Sequence, residues 1–358
     1  MNEPVEKLKP LRLLGLALFV VVVLGVAALA SAIIIRPGLP AYELHRYPSA
    51  PIAEGSLTAT WFGVSGVLLS DGVHAIFIDP FFTRPDFPTL LRNRPIAPDE
   101  SLIESWLTRA DIRRLDAVLV SHSHYDHAMD AGVVARITGA ILIGSESTAN
   151  IGRGAGLPDT QVAAIKPGAT AEIGSFKVTF IESRHAGLSG GRPTGDIGAP
   201  LRTPASWRDY RQGGTYSILV EHPQGSVLHH GSAGWVPGAL KQRHADVVFL
   251  GVALLPDLPS YLHEVVDAVG ARRVIPVHWD DFTRPLAEPL EPLPLIVNLN
   301  KFFDGMAQRP DITVRTLVVS QPVGLFPGVA PAPAASPPTP APEESPPAPG
   351  GSGGSRSS

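Results

Sequence analysis

Apolar positions change their period twice along this chain. Residues 13–35, "LLGLALFVVVVLGVAALASAIII", are 23 consecutive positions without a charge. As a helix at about 1.5 Å per residue, that run would reach across a hydrocarbon core of about 30 Å. Residues 36–54 carry several prolines and no clear period, which predicts a tether. From 55 to 320, short β-type runs alternate with loops and helices. "LTATWFGVSGVLLSDGVHAIFIDP" predicts two strands around a turn at Ser70-Asp71-Gly72. "LDAVLVS", "AMDAGVVARITG" and "AILIGS" predict a strand, a helix closed by Gly139 and a second strand. "AEIGSFKVTFIESRH" and "TYSILVEHPQGSVLHHG" read as hairpins, and "DVVFLGVA", "YLHEVVDAVGA" and "RRVIPVHW" as a second strand-helix-strand unit. No linker interrupts this region, so it is expected to be one domain of two α/β halves. The stretch 321–358, rich in Pro, Ala, Ser and Gly, predicts a disordered tail with polyproline-II character.

Charge orients the apolar run. Lys7, Lys9 and Arg12 precede it and only Arg36 follows closely, which places residues 1–12 in the cytoplasm and the domain on the periplasmic or extracellular side of the cell membrane. The run is longer than the core of a secretory signal peptide, which favours a retained single-pass anchor. Ala30-Ser31-Ala32 also fits a small-x-small cleavage rule, and that alternative exports the domain equally. With 17% charged residues and a net charge of −4, nothing suggests a polyanion-binding surface, so nucleic acid is not an expected partner. No protein partner is signalled. The chain has no cysteine, so disulfides and thiolate chemistry are excluded and a metal site must be built from His, Asp and Glu.

One stretch carries chemistry. In "VLVSHSHYDHAMD", His122, His124, Asp126 and His127 follow an apolar strand and precede a helix, where side chains can converge without filling a core. His122 and His124, two apart, can present imidazoles to one ion from the same side of an extended segment, and Asp126 and His127 can face a neighbouring ion. His45, His74, His222, His244 and His263 have no such company and read as structural or solvent-facing. "GRGAG" at 152–156 is too short and wrongly placed for a nucleotide-binding loop.

The "HSHYDH" motif resembles that of the metallo-β-lactamase fold superfamily, and later landmarks follow in the expected order over about residues 56–320. The resemblance implies a four-layer αββα sandwich, of mixed α+β or α/β class, with two metal ions, usually zinc, in a cleft at one edge of the two sheets. It assigns His122, His124 and His185 to one ion and Asp126, His127 and His278 to the other, with Asp79 of "IDPFF" as a structural carboxylate. The sequence departs from the pattern in "VLHHGSAGW", where Ser232 stands in place of an aspartate that bridges the ions. A neutral hydroxyl cannot supply that bridge, so the second ion is expected to bind more weakly, or His230 or His229 to substitute for it; one ion per chain remains an alternative to two, and Mn²⁺ or Fe²⁺ an alternative to Zn²⁺. Asp280 and Asp281 are candidates to orient a ligand imidazole.

The implied chemistry is attack by a metal-bound hydroxide on a carbonyl or phosphoryl group, with Asp126 orienting it or taking its proton. The "HWDDF" ending and "GSAG" are more similar to the lactonase and N-acylphosphatidylethanolamine-phospholipase-like branch than to true β-lactamases. The expectation is therefore a membrane-anchored hydrolase of an ester, lactone or phosphodiester, acting on a small-molecule or lipid substrate. The rival from another class is a metal-binding scaffold that lost turnover along with the bridging aspartate. Residues 190–214 form a long connection of the kind that covers a site, with Arg202, Arg208 and Arg211 as candidate anion contacts and Trp61, Phe62, Trp207, Trp235 and Trp279 as candidate pocket walls.

Overall fold

The computed structural model describes residues 8–34, 38–187 and 193–328. Fourteen strands follow the N-terminal helix: β1 Thr58–Trp61, β2 Val67–Ser70, β3 Ala75–Ile78, β4 Ala117–Leu119, β5 Ile141–Gly144, β6 Val162–Ala164, β7 Thr170–Ile173, β8 Phe176–Glu182, β9 Tyr216–His222, β10 Gly225–His230, β11 Val247–Gly251, β12 Arg273–Val277, β13 Thr313–Val314 and β14 Val323–Gly324. They form two seven-stranded sheets, ordered β14-β1-β2-β3-β4-β5-β6 and β13-β12-β11-β10-β9-β8-β7. Both sheets share one pattern. Three antiparallel pairs on one side meet three parallel pairs on the other, the change falling at β3 in the first sheet and at β10 in the second.

Strand alternation builds the layers. In the first sheet Val67, Leu69, Ile76, Ile78 and Leu119 join the core shared with the second sheet. Their neighbours Leu68, Phe77, Val118 and Leu142 turn the other way, into a core shared with the helices Glu100–Arg109, Ala131–Thr138 and Glu146–Gly154. On the far face of the second sheet, Tyr261, Val265, Val266, Phe302 and Met306 belong to helical segments packed against it. This is the expected four-layer sandwich. Helix starts are capped as their sequences require: Asp99 accepts from Leu102 N at 3.0 Å and Ser145 from Thr148 N at 3.3 Å. Gly139 ends its helix at φ 74°.

Three expectations change. The first strand pair is a three-strand meander, because Phe62–Gly66 forms a tight turn in which Gly66 N donates to Gly63 O at 2.8 Å. The domain does not stop at 320, since β14 pairs with β1 and Leu325 is fully buried; the tail beyond 328 lies outside the described residues. The tether carries structure too, a 3₁₀ segment Leu39–His45 whose Tyr42 and His45 rings stack on Phe303 at 3.9 and 4.8 Å. Among the described residues one helix is long and apolar enough to cross a membrane, with a mean hydropathy of 2.9 over Leu13–Ser31 and none of that stretch buried.

Candidate metal centre

The C-terminal ends of the parallel strands converge on one edge of the sandwich, where α/β sheets place ligands. After β4 the chain leaves the sheet as Ser121–His124 and enters a one-turn helix at Tyr125–Ala128. His185 follows β8, Ser232 follows β10 and His278 follows β12. Two groups of ligand atoms form there, His122 with His124 and His185, and Asp126 with His127 and His278, the atoms of each group lying within 4.8 Å of one another. The first group's ring centroids are 4.7 to 4.8 Å apart. His122 and His127 touch across the two groups at 3.9 Å.

The surroundings fix how each ring presents itself. Asp79, fully buried at φ 49°, accepts from Ser121 N at 2.7 Å and Ser121 Oγ at 2.6 Å, and its second oxygen sits 2.8 Å from His127 Nδ1. That bond aims His127 Nε2 at the centre, the carboxylate-histidine arrangement that orients metal ligands. His185 Nδ1 lies 2.9 Å from the Ala186 carbonyl, which assigns its Nε2 to the centre. His278 has φ 55°, a left-handed backbone that is costly for a non-glycine residue. It is held because its N–H donates to Val64 O at 2.7 Å, while Val64 N donates to Asp280 Oδ1 at 2.7 Å. Asp280 in turn pairs with buried Arg84 at 2.7 Å. Asp280 therefore holds the backbone beneath His278, and Asp281 Oδ1 accepts from Thr283 N at 3.1 Å and Thr283 Oγ1 at 2.7 Å.

Electrostatics suits a cation. Burial pushes the Asp126 carboxyl up, but His127 and the hydrogen-bonded His278 outweigh it and hold the group well below the usual carboxylate range. Burial, reinforced by the four neighbouring imidazoles, drives His122 well below the ordinary histidine value and keeps it neutral. His127 is desolvated too, yet Asp79 and Asp126 raise it overall. His278 Nε2 lies 3.3 Å from Asp126 Oδ2, and His122 Nε2 and His127 Nε2 are buried with no hydrogen-bond partner. Buried polar atoms are rarely left so, and imidazoles converging with a carboxylate are the donor set of a zinc, manganese or iron ion. The residues fit two ions.

His230 does not join them. Along β10 it faces away from the centre, with Nδ1 2.7 Å from Ser217 Oγ and its ring against Tyr261 at 5.5 Å. Burial, with His229 adjoining, lowers its pKa to about 3. His229 points inward but lies against Ser65 O at 2.8 Å, so neither histidine replaces the missing aspartate. Ser232 does line the site, and its Oγ accepts from Ala186 N at 2.9 Å, tying the loop of β10 to that of His185. His45 stacks on Phe303, His74, His222 and His244 sit beside Asp116, Asp71 and Asp246, and His263 is exposed.

A cavity of about 220 Å³ opens over both groups, walled by Tyr125, Trp207, Leu254, Phe282, Leu293 and Ile296. Of the candidate aromatic walls only Trp207 is there; Trp61 and Trp279 pack against each other, tilted, at 5.3 Å, Trp235 stacks on Tyr261 at 5.6 Å, and Phe62 is core. The connection over the site contributes Pro193 and Trp207, while its residues 190–192 lie outside the described set. Arg202, Arg208 and Arg211 do not line the cavity, and Arg208 covers the Trp207 ring at 4.4 Å. "GRGAG" is the end of the helix Glu146–Gly154 and the turn after it. Tyr125 lies between two candidate ligands in sequence and Phe282 four residues after His278, so both are within reach of a motif reading. Leu254, Leu293 and Ile296 come from aperiodic loops that carry no such signal.

Comparison with known proteins agrees with this architecture. A family model described as a beta-lactamase superfamily domain matches residues 74–279. A UPF0173 metal-dependent hydrolase from Myxococcus xanthus is 27% identical over 271 residues, covering 73% of this chain and 85% of that protein. One of the same description from Pyrobaculum islandicum is 25% identical over 232 residues, covering 62% and 84%. Among solved structures, Igni18, described as a novel metallo hydrolase from Ignicoccus hospitalis, aligns with a TM-score of 0.48 and 16% identity over 75% of this chain and 97% of its own. Because the family model spans more than half of the chain, this protein belongs to the beta-lactamase superfamily domain family.

Proposed function

We propose that this chain is a membrane-anchored, metal-dependent hydrolase of an ester, lactone or phosphodiester, with its domain on the periplasmic or extracellular side. The observation that carries the reading is the convergence of six ligand groups in two sets at the floor of one cavity, with buried ring nitrogens that lack any other partner. His122, His124 and His185 would hold one ion and Asp126, His127 and His278 the other. When bound, the metal supplies Lewis acidity at the scissile carbonyl or phosphoryl oxygen and acidifies the attacking water.

The chain's own residues supply the rest. Asp126, kept ionised by His127 and His278, is placed to orient the nucleophile and accept its proton. Asp79 fixes the tautomer of His127, and Asp280 with Val64 fixes the backbone of His278. Trp207, Phe282, Leu293 and Ile296 exclude water and receive an apolar group of the substrate. Among the described residues the lining is mostly apolar beside the candidate ligands, which suits an ester or lactone with an apolar group.

The test is elemental analysis of the full-length protein in detergent beside His122→Ala and His278→Ala, with hydrolysis of ester, lactone and phosphodiester substrates before and after chelation. Two ions per chain, reduced in both variants, and chelator-sensitive turnover are expected. Metal-free protein without turnover would refute the reading. A metal-binding scaffold is the second reading, because Ser232 lines the cavity with a neutral hydroxyl where the resemblance expects an aspartate. Metal binding without turnover on any substrate class, with activity appearing only in Ser232→Asp, would favour the scaffold.

A further inference from the structure

We infer that the mouth of the cavity rests on the lipid bilayer that holds the N-terminal helix, so that the cavity fills from the membrane with an amphiphile. The docking rests on that helix being a retained anchor; the fate of the amphiphile rests also on the hydrolase reading.

The argument starts from where the anchor delivers the chain. The helix ends at Ile34 and the description resumes at Gly38, so the two are at most about 15 Å apart at 3.8 Å per residue. Gly38 lies against the segment that borders the cavity, since a Cβ placed there would meet the Leu290 carbonyl at 3.4 Å. The following turn lies along the helix Leu299–Ala307 through the stacking of Tyr42 and His45 on Phe303, and Tyr42 also hydrogen-bonds Asn300. The face bearing residues 290–303 is thus held within one short tether of the membrane surface.

That face is apolar where water would otherwise meet it. Leu44 on the turn is 96% exposed, Leu295 68% and Ile296 37%. Ile296 and Leu293 also line the cavity, so the exposed patch and the cavity wall are continuous. The short helix Phe87–Leu91 exposes Phe87 and Leu91 and is tied to the cavity wall by Trp207 Nε1 donating to Leu90 O at 3.0 Å. Among the described residues outside the N-terminal helix, five of the eight exposed large apolar side chains are these. Single exposed leucines are ordinary, but exposed Leu295 and Ile296, the latter also a cavity wall, lie in the segment that the anchor's tether meets at Leu290, which matches an interfacial surface. Val73, also exposed, sits at the opposite edge of the sandwich in the β2–β3 turn.

The chain has no native cysteine, so full-length Leu295→Cys and Val73→Cys can each carry one fluorophore in phosphatidylcholine vesicles containing spin-labelled lipid. Several-fold stronger quenching at Leu295→Cys than at Val73→Cys is expected. Equal, negligible quenching would overturn the proposal and leave the face to water or a protein partner. Alongside, the Leu44→Asp/Leu295→Asp double variant, which leaves the cavity lining intact, should lose about tenfold in hydrolysis of a long-chain ester carried in vesicles and keep its rate on a short soluble ester. Equal loss on both substrates, or on neither, would count against delivery from the membrane. Quenching at Leu295→Cys without hydrolysis of either ester would sink the hydrolase reading alone.

Discussion

Asp79→Asn tests the electrostatic logic of the centre with the smallest change of shape. The native carboxylate accepts from Ser121 N, Ser121 Oγ and His127 Nδ1 at 2.7, 2.6 and 2.8 Å, in a fully buried position. Asparagine tolerates the left-handed φ of 49° and can keep the bond from Ser121 N through its carbonyl. Its amide then faces the other two partners. Ser121 Oγ can rotate its hydrogen away and accept, but His127 Nδ1 can accept only if the ring proton moves to Nε2, the atom aimed at the ion. Each return to the ligand tautomer sets N–H against N–H in a buried site, and loss of such an orienting carboxylate typically costs 10- to 100-fold in metal affinity, about 1.4 to 2.7 kcal/mol. The penalty should fall on the group formed by Asp126, His127 and His278 and leave the three-histidine group nearly intact. Competition titration of zinc against a chromophoric chelator, on full-length protein with circular dichroism as a check of folding, resolves the two affinities. Two unchanged affinities, or equal losses in both, would refute the reasoning.

Other outcomes follow from neighbouring residues. Burial raises the Asp130 carboxyl to about 7 from 3.8, though Thr83 and Phe82 N–H groups partly offset this. The folded protein therefore keeps a proton that the unfolded chain loses near pH 4, and its stabilising contribution, full below that pH, is lost as pH rises through 7; the native protein should lose urea stability relative to Asp130→Asn between pH 4 and 7, and a pH-independent difference would contradict it. His230→Phe removes a side chain bonded to Ser217; it should cost about 1 to 3 kcal/mol of stability and leave metal content unchanged, whereas loss of an ion would restore His230 as a ligand. In Gly234→Ala the new Cβ would meet Arg184 O at 2.5 Å and His185 O at 2.6 Å. The backbone of His185 must then move, so elemental analysis should find fewer ions per chain than in the native protein, and an unchanged content would contradict it.

The six candidate ligands that the structure brings together are legible in the sequence because their signals are local. A histidine-aspartate cluster follows a strand, and single histidines end two later strands. What escaped the sequence depends on how strands register and how loops fold back. The turn Phe62–Gly66 was read through as strand because its apolar residues are buried against Arg84 and Asp280, so polarity did not mark it. The sequence offers His230, and after it His229, as a substitute for the bridging aspartate, but adjacent strand residues face opposite ways, and here His230 bonds Ser217 and His229 lies against Ser65 O. The edge strand β14 hides in a Pro-rich context, where only two residues pair. Composition there is that of a tail, and only tertiary contact with β1 shows otherwise.

Each ligand group is split across the chain in the same manner. Two members come from the loop and one-turn helix that follow β4 in the first sheet, and the third, His185 or His278, from a strand end of the second. An ion bound in either group would therefore clasp the two sheets, and its binding free energy would be shared with their association, raising the unfolding free energy by RT ln(1 + [L]/Kd). Neither sheet alone holds a complete set, so fragments cut between them would regain full metal affinity only by reassembling, and the ion would then report on the union of the halves before any substrate is turned over.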